Sequence, residues 1–319
     1  MDRARPLADH VLGSWPVTAF PRHATRHHLR ILAYHGVVDI DAFRRQMVFV
    51  AGHYEPVSLT DVTAALHGQA HLPDYAVWVT FDDGDPSVVE NALPVLLELD
   101  TRSTIFVCPG LVDTTTPFWW DIVDEALTLG ESWELDGRRF GSRHLHALTG
   151  RLKAVDDDHR REIVAALADA IVQRTGLPAQ RKQVTTHQLT RFVAAGGSVG
   201  NHTWDHPCLD SADDDAQNAQ IIRAHEWLNE RFPSPARVFA YPNGNYSPVA
   251  ERALRDLDYH LGALFDHRLT PVEGNLLRLS RLRVNDSTTP ARFAAILAGV
   301  HPALHSMRSR INSRVTRER

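Results

Sequence analysis

Short apolar runs recur along this chain, and longer amphipathic segments separate most of them. The runs are R-I-L-A-Y-H (30–35), V-W-V-T-F (77–81), S-T-I-F-V (103–107), S-V-G-N-H (198–202), R-V-F-A-Y (237–241), L-G-A-L-F (261–265) and R-L-S-R-L-R-V (278–284). Strands alternating with helices predict a parallel α/β architecture, either a barrel or an open sheet. In both, ligands gather at the C-terminal ends of the strands. Helix starts are legible between the runs. Ser58 precedes L-T-D-V-T-A-A-L, and Ser247 is followed by Pro248, an N-cap with proline at the first helical position. Residues 213–232 and 156–175 have helical length, the first with Ile221, Ile222, Ala224, Trp227 and Leu228 on a rough 3.6-residue period.

One stretch breaks the rhythm. Residues 111–184 show helix patterns and no strand, which predicts a mainly helical insertion between two strands. It carries F-W-W-D at 118–121 and Trp133. The tryptophan pair reads as core, because aromatic side chains bury large areas. The expected organisation is an N-terminal extension (1–27), one α/β domain (28–300) containing the insertion, and a basic C-terminal tail (301–319).

Composition excludes several classes. A net charge of −5 with His neutral does not suit a nucleic-acid binder, so no such partner is expected. Two cysteines, Cys108 and Cys208, are too few for a disulfide scaffold or a thiolate zinc site, and each reads as a small buried side chain. No apolar stretch reaches the roughly 18 residues of a membrane span. The first 28 residues lack the apolar region of a secretory signal, so a cytoplasmic location is expected. The last twelve residues hold five Arg against one Glu. They read as a solvated tail, with weak contact to the anionic inner membrane face as the sharper alternative.

The chemistry collects where strand-like runs end. The first run closes on Tyr34-His35-Gly36, the second on Asp82-Asp83-Gly84, the fourth on Asn201-His202-Thr203-Trp204-Asp205-His206-Pro207 and the fifth on Tyr241-Pro242-Asn243-Gly244. Two adjacent carboxylates at the end of a buried run each make the other costlier to ionise, unless a cation or open water relieves them. With nineteen histidines, H-x-x-x-H spacing recurs by chance: His23/His27, His67/His71, His202/His206 and His301/His305 all show it. His202/His206 differs in following a strand-like run directly, with Pro207 ending the segment. Two imidazoles and one carboxylate, from Asp82 or Asp83, make a facial N,N,O set suited to Zn²⁺ or another first-row divalent ion. One Asp would bind the cation, and the other would stay ionised beside it and take a proton from the attacking water.

T-F-D-D-G, H-T-x-x-H and F-A-Y-P-x-G, in that order on an alternating chain, resemble the polysaccharide deacetylases with a NodB homology domain, carbohydrate esterase family 4. The segment T-T-H-Q-L-T-R-F-V-A-A-G-G-S-V-G-N-H-T-W-D-H-P is also similar to that family's approach to its His motif. The resemblance covers about residues 28–299. It implies a distorted (β/α) barrel and a metal-dependent removal of N-acetyl groups from an N-acetylated sugar, glycan or glycan precursor. By resemblance Asp82 is the catalytic base, and Asp83, His202 and His206 are the metal triad. The metal is usually zinc, with Co²⁺, Ni²⁺ or Mn²⁺ as substitutes. Asn243 falls where the family presents a backbone N–H to the oxyanion, since Pro242 has none to donate. Tyr241 and Pro242 of the same motif, with Arg281, complete the expected oxyanion and substrate group.

Two departures matter. Many members carry an Arg before the Y-P pair that steadies the catalytic Asp; here Ala240 stands there. Members often have a C-terminal Leu-x-His whose His is the general acid, and the final run R-L-S-R-L-R-V-N-D has no His. His35 is the substitute candidate for the acid, and Arg281, Arg283 or Asp286 for the missing Arg. The departures keep two other readings open: a metal-dependent hydrolase of a non-sugar amide, and a catalytically inactive carbohydrate-binding relative.

Overall fold

The computed structural model describes residues 13, 15–271 and 274–307. Residues 1–12 and 14 of the expected N-terminal extension and the last twelve residues of the basic tail lie outside the described residues. The strands in chain order are β1 (Arg30–Tyr34), β2 (Glu55–Pro56), β3 (Ala76–Phe81), β4 (Ser103–Val107), β5 (Trp133–Leu135), β6 (Arg138–Phe140), β7 (Ser198–Asn201), β8 (Val238–Ala240), β9 (Leu261–Ala263) and β10 (Leu282–Arg283). The main sheet runs β10-β1-β3-β4-β7-β8-β9, with β2 beside β3, and every pairing in it is parallel. Its two ends meet through segment 279–283. Leu279 bridges Ala263 of β9, while Leu282 and Arg283 pair with Leu32 and Ala33 of β1. The sheet therefore curls into a barrel, distorted because one residue bridge closes it.

Alternation along β3 explains the barrel's two cores. Val77, Val79 and Phe81 pack outward with Phe43, Val50 and Leu96 beneath the surrounding helices. Ala76 and Trp78 face inward, with Phe106, Ala240, Ala263 and Leu279. Both faces are covered, so all of β1 and β3 is buried, as parallel strands require. The Trp78 indole N–H stays satisfied inside by donating to Thr104 Oγ1 at 3.1 Å.

The expected helix starts are present. Ser58 and Asp61 form a reciprocal capping box at the helix Leu59–Leu66, and Ser247 accepts from Val249 N ahead of Pro248. Asp156 and Asp213 cap Asp157–Thr175 and Asp214–Arg231. Three expectations need correction. The 111–184 stretch is not free of strands: β5 and β6 form an antiparallel hairpin around Asp136-Gly137, both at positive φ (53° and 69°). This is the turn that an Asp-Gly pair favours. The last run does not form one strand over 278–284. Its chain passes from one sheet edge to the other, so only Leu282–Arg283 makes a ladder, and Leu276–Arg278 is a 3-10 turn. The short β2 falls in no expected run; two residues carry no periodicity.

The insertion has a core of its own, in which Val123, Leu127, Phe140, Leu148, Ile163 and Leu167 pack together. Among the described residues no helix is long and apolar enough to cross a membrane.

One buried histidine makes the fold acid-sensitive. His267 is 4% exposed, accepts from Arg283 N through Nδ1 (3.1 Å), and so donates through Nε2 to His301 Nδ1 (2.8 Å). Burial, then the neighbouring His301, His305, Arg283 and Arg292, push its pKa down to about 3. Below its unfolded value of about 6.5 the unfolded chain binds a proton that the folded chain refuses, so stability falls as pH falls toward 3. Between pH 7.5 and 5 this amounts to about 2 kcal/mol. His267→Gln should lose that much less stability than the parent over the same interval in urea titrations; equal losses would show that His267 is not the sensor.

Candidate functional site

The inward face of β3 continues through Thr80 to Asp82, just past the strand at the barrel mouth. Asp82 N still donates to Tyr34 O at 2.9 Å, which extends the β1–β3 ladder by one residue. Asp82 is buried and held by a buried guanidinium: Arg281 Nη1 and Nη2 donate to its two oxygens, each at 2.7 Å. Arg281 also donates to Thr80 Oγ1 (3.2 Å) and Leu264 O (2.6 Å), so the fork is fixed from three sides. Burial works to raise the Asp82 pKa, but Arg281 and then His202 outweigh it and hold it below the usual carboxylate value. Of the three candidates for the missing Arg, only Arg281 reaches Asp82. Arg283 lies on the cavity wall, and Asp286 accepts from Val38 N and Asp39 N.

After Asp82 the chain turns sharply. Asp83 takes a left-handed conformation (φ 70°), which Asp tolerates better than bulkier residues, and this aims its carboxylate at the loop after β7. Asp83 Oδ1 lies 3.3 Å from His202 Nε2 and 3.5 Å from His206 Nε2. His202 Nδ1–H donates to Ala240 O at 2.7 Å, which leaves the Nε2 lone pair facing Asp83. The loop itself is tied down. Asn201 Oδ1 accepts from Thr203 N, Thr203 Oγ1 accepts from His206 N, and Gln220 Oε1 accepts from Trp204 N and Asp205 N. His206 has no polar partner for Nδ1, and its ring packs edge-on against Trp120 at 4.6 Å.

These residues fit a cation. Asp83 Oδ1 is buried without a hydrogen-bond partner, although two imidazole nitrogens face it. Donors about 2.0–2.1 Å from a tetrahedral centre lie about 3.3 Å apart, close to the two spacings seen. Burial opposes ionisation of Asp83, but His202, His35 and His206 keep it far below the usual carboxylate range. Burial pushes His206 down to about 3, so it is neutral. For His202 burial lowers the pKa, but Asp83 and Asp82 outweigh it and raise it. Two carboxylates thus call for a positive charge at Nε2, and a metal ion supplies one in place of a proton. Among the described residues Asp83, His202 and His206 are a group that could hold a metal ion.

The other expected residues gather around the same cavity, of about 480 Å³. His35 is half-exposed, with Nε2 4.0 Å from Asp83 Oδ2 and its ring edge-on to Phe265. Tyr241 lines the wall with a buried hydroxyl that has no hydrogen-bond partner. Asn243 lines it too, at φ 57°, with its side-chain amide donating to Cys208 Sγ at 3.4 Å. Pro242 is buried at the start of the turn that carries Asn243. Gly244 completes this turn at φ 80°, and a Cβ there would meet Phe265 N at 2.4 Å. Arg281 stands behind Asp82 and is not on the wall.

One whole wall comes from the insertion, whose tryptophan pair the sequence reads as core. Trp120, Asp124, His146, Thr149 and Lys153 of the insertion line the cavity. The tryptophan pair is split. Trp119 packs on the insertion's core, while Trp120 stacks on Phe118 and faces the cavity. A signal existed, since neighbours on a helix point about 100° apart and cannot share one face. For Lys153 there was none.

The model of the family described as polysaccharide deacetylase matches residues 69–136 and 153–262, more than half of the chain. The chain belongs to the polysaccharide deacetylase family. Enzymes of this family are hydrolases acting on carbon–nitrogen bonds, and that is the reaction class of this deacetylase. It is similar to YxkH of Bacillus subtilis (strain 168), which carries the family's name. The two are 18% identical over 277 residues, 84% of this chain and 76% of that protein. Two solved structures show the same fold. The Streptococcus pyogenes deacetylase PplD, in complex with acetate, is 19% identical (TM-score 0.59, 85% of this chain and 98% of that one). IcaB from Ammonifex degensii is 20% identical (TM-score 0.58, 85% and 97%).

Proposed function

We propose that this deacetylase hydrolyses the acetamide of an N-acetylated sugar, glycan or glycan precursor, with Zn²⁺ as the preferred ion. The observation that carries the reading is the pairing of an ionised, Arg-locked Asp82 with the Asp83/His202/His206 set on one cavity wall. A divalent ion held by that set would polarise the acetyl carbonyl and lower the pKa of water. Asp82 accepts the proton of the attacking water, and its fixed carboxylate needs no reorientation to do so. The backbone N–H of Asn243 stabilises the oxyanion, and the unpartnered Tyr241 hydroxyl donates to the substrate. His35, which lines the same cavity, protonates the departing amine. Water oxygen joins the carbonyl carbon, the C–N bond breaks, and acetate and the free amine leave. Arg281 positions Asp82 without touching substrate. The reading keeps the cytoplasmic location expected from the sequence, which cell fractionation tests.

Acetate release from N-acetylhexosamine oligomers by the zinc- or cobalt-loaded protein is the test. Release should stop on chelation and return when metal is restored. No release from any acetylated sugar with metal stoichiometrically bound would overturn the reading, and turnover of small cyclic amides alone would point to the non-sugar amide class.

A further inference from the structure

Beside the catalytic cavity lies a second one of about 420 Å³, and His35, Phe265 and Arg283 line both. The two differ in charge. The catalytic cavity is lined by Asp82, Asp83, Asp121 and Asp124, with Lys153 and Arg283 as its cationic side chains. The second is lined by Arg283 and Arg292 and by Asn285, Ser287, Thr288 and Thr289, with no carboxylate among its lining residues.

Two carboxylates of neighbouring segments, Asp266 and Asp286, accept from other groups, and the charge of Asp266 acts on Arg283. Asp266 accepts from Ser280 Oγ (2.8 Å) and Arg281 N (3.3 Å). Asp286 accepts from Val38 N (2.6 Å) and Asp39 N (2.7 Å). Arg283 donates through Nε and Nη2 to Phe265 O, which fixes the plane of its guanidinium on the wall between the two cavities. Arg292 has no ion pair among the described residues. Two guanidinium groups lining one cavity, with no carboxylate among its lining residues, form a recognition set for an oxyanion.

We propose that this second cavity is an anion subsite, and that the enzyme's saccharide carries an oxyanion, phosphate or carboxylate, next to the residue that is deacetylated. The proposal rests on the deacetylase reading above and deepens it to a substrate class. An anionic group on the saccharide is drawn to the Arg283/Arg292 side, away from Asp121 and Asp124. This places the acetamide at Asp82 and Asp83 with the charged group across His35. The substrate's orientation is thereby fixed, not only its affinity.

The test compares acetate release from N-acetylglucosamine, N-acetylglucosamine 1-phosphate and N-acetylglucosaminuronic acid by the metal-loaded protein and by Arg292→Gln. The parent should favour at least one charged sugar over the neutral one in kcat/KM by about tenfold, and Arg292→Gln should remove most of that ratio. Preference for the phosphate identifies a phosphorylated saccharide, and preference for the acid identifies a uronate. Equal kcat/KM on all three, unchanged by the variant, overturns the subsite. If no sugar releases acetate, the deacetylase reading fails, and calorimetric binding of N-acetylglucosamine 1-phosphate still decides the subsite. Binding should weaken about tenfold in Arg292→Gln, and equal binding by both proteins overturns it.

Discussion

Asp82→Asn should lower kcat by about 10²–10⁴ while the folded protein keeps its metal, because a positioned proton acceptor contributes that much. The variant should also lose stability, because the buried Arg281 is left without its counter-charge. The substitution is conservative in shape. The introduced amide would keep one acceptor oxygen for the Arg281 fork, and Asp83, His202 and His206 are untouched. What it removes is the anionic oxygen that takes the proton. The buried pair makes the contrast sharp: burial disfavours the charged form, and Arg281 and His202 nonetheless hold Asp82 ionised. The chain therefore sustains a charged group inside a barrel mouth where an uncharged one would cost less. Metal content by elemental analysis and kcat, measured on the same preparation, check the expectation. Loss of bound metal in Asp82→Asn would mean that Asp82 is itself a ligand, and a kcat within threefold of the parent would remove it from proton transfer. Asp83→Asn should behave the other way and lose the ion first.

Much of the site was legible because its residues sit where strand periodicity ends. Alternate residues of β3 point into the barrel, so the inward set 76, 78, 80 runs on to Asp82 without interruption. His202 and His206 follow a four-residue strand directly, and a histidine pair at that place stands apart from the three other pairs of the same spacing. Capping residues such as Ser58 and Asp213 act over three residues, and local chemistry of that range reads well. What stayed illegible depends on long-range geometry. Arg281 and Arg283 lie on the same face of one segment, and only the crossing of that segment from β9 to β1 decides that Arg281 reaches Asp82. The wall made by Trp120, His146 and Lys153 belongs to an insertion with its own core, and nothing in its sequence reports which of its faces docks on the barrel mouth. The β5–β6 hairpin is a different case. Its Asp136-Gly137 turn was a local signal, outweighed by the helical pattern on both sides.

Arg281→Met should destabilise the protein by about 3–5 kcal/mol at neutral pH, because it leaves the buried Asp82 carboxylate without its partner. The sign of the pH dependence should change with it. In the parent the Asp82 pKa lies below its unfolded value, so the pair's contribution is present above about pH 4 and is lost as pH falls through the folded value. Without Arg281 burial dominates and raises the Asp82 pKa above the unfolded one. The folded variant then binds a proton that the unfolded chain has released, and its stability falls as pH rises from about 4 toward neutrality. Methionine fills much of the space of the lost side chain, so the cost comes mainly from charge, with a smaller part from the donors lost to Leu264 O and Thr80 Oγ1. Asp82→Asn in the same background separates these parts. If the unpaired carboxylate is the cause, the double variant should recover most of the lost stability, because removing both charges of a buried pair is far cheaper than removing one. Urea unfolding of the parent, both single variants and the double variant at pH 5 and 7.5, in one metal state throughout, gives the coupling energy directly. A double variant no more stable than Arg281→Met would show that the arginine serves the barrel closure through its contacts to Leu264 and Thr80, and not through the charge of Asp82.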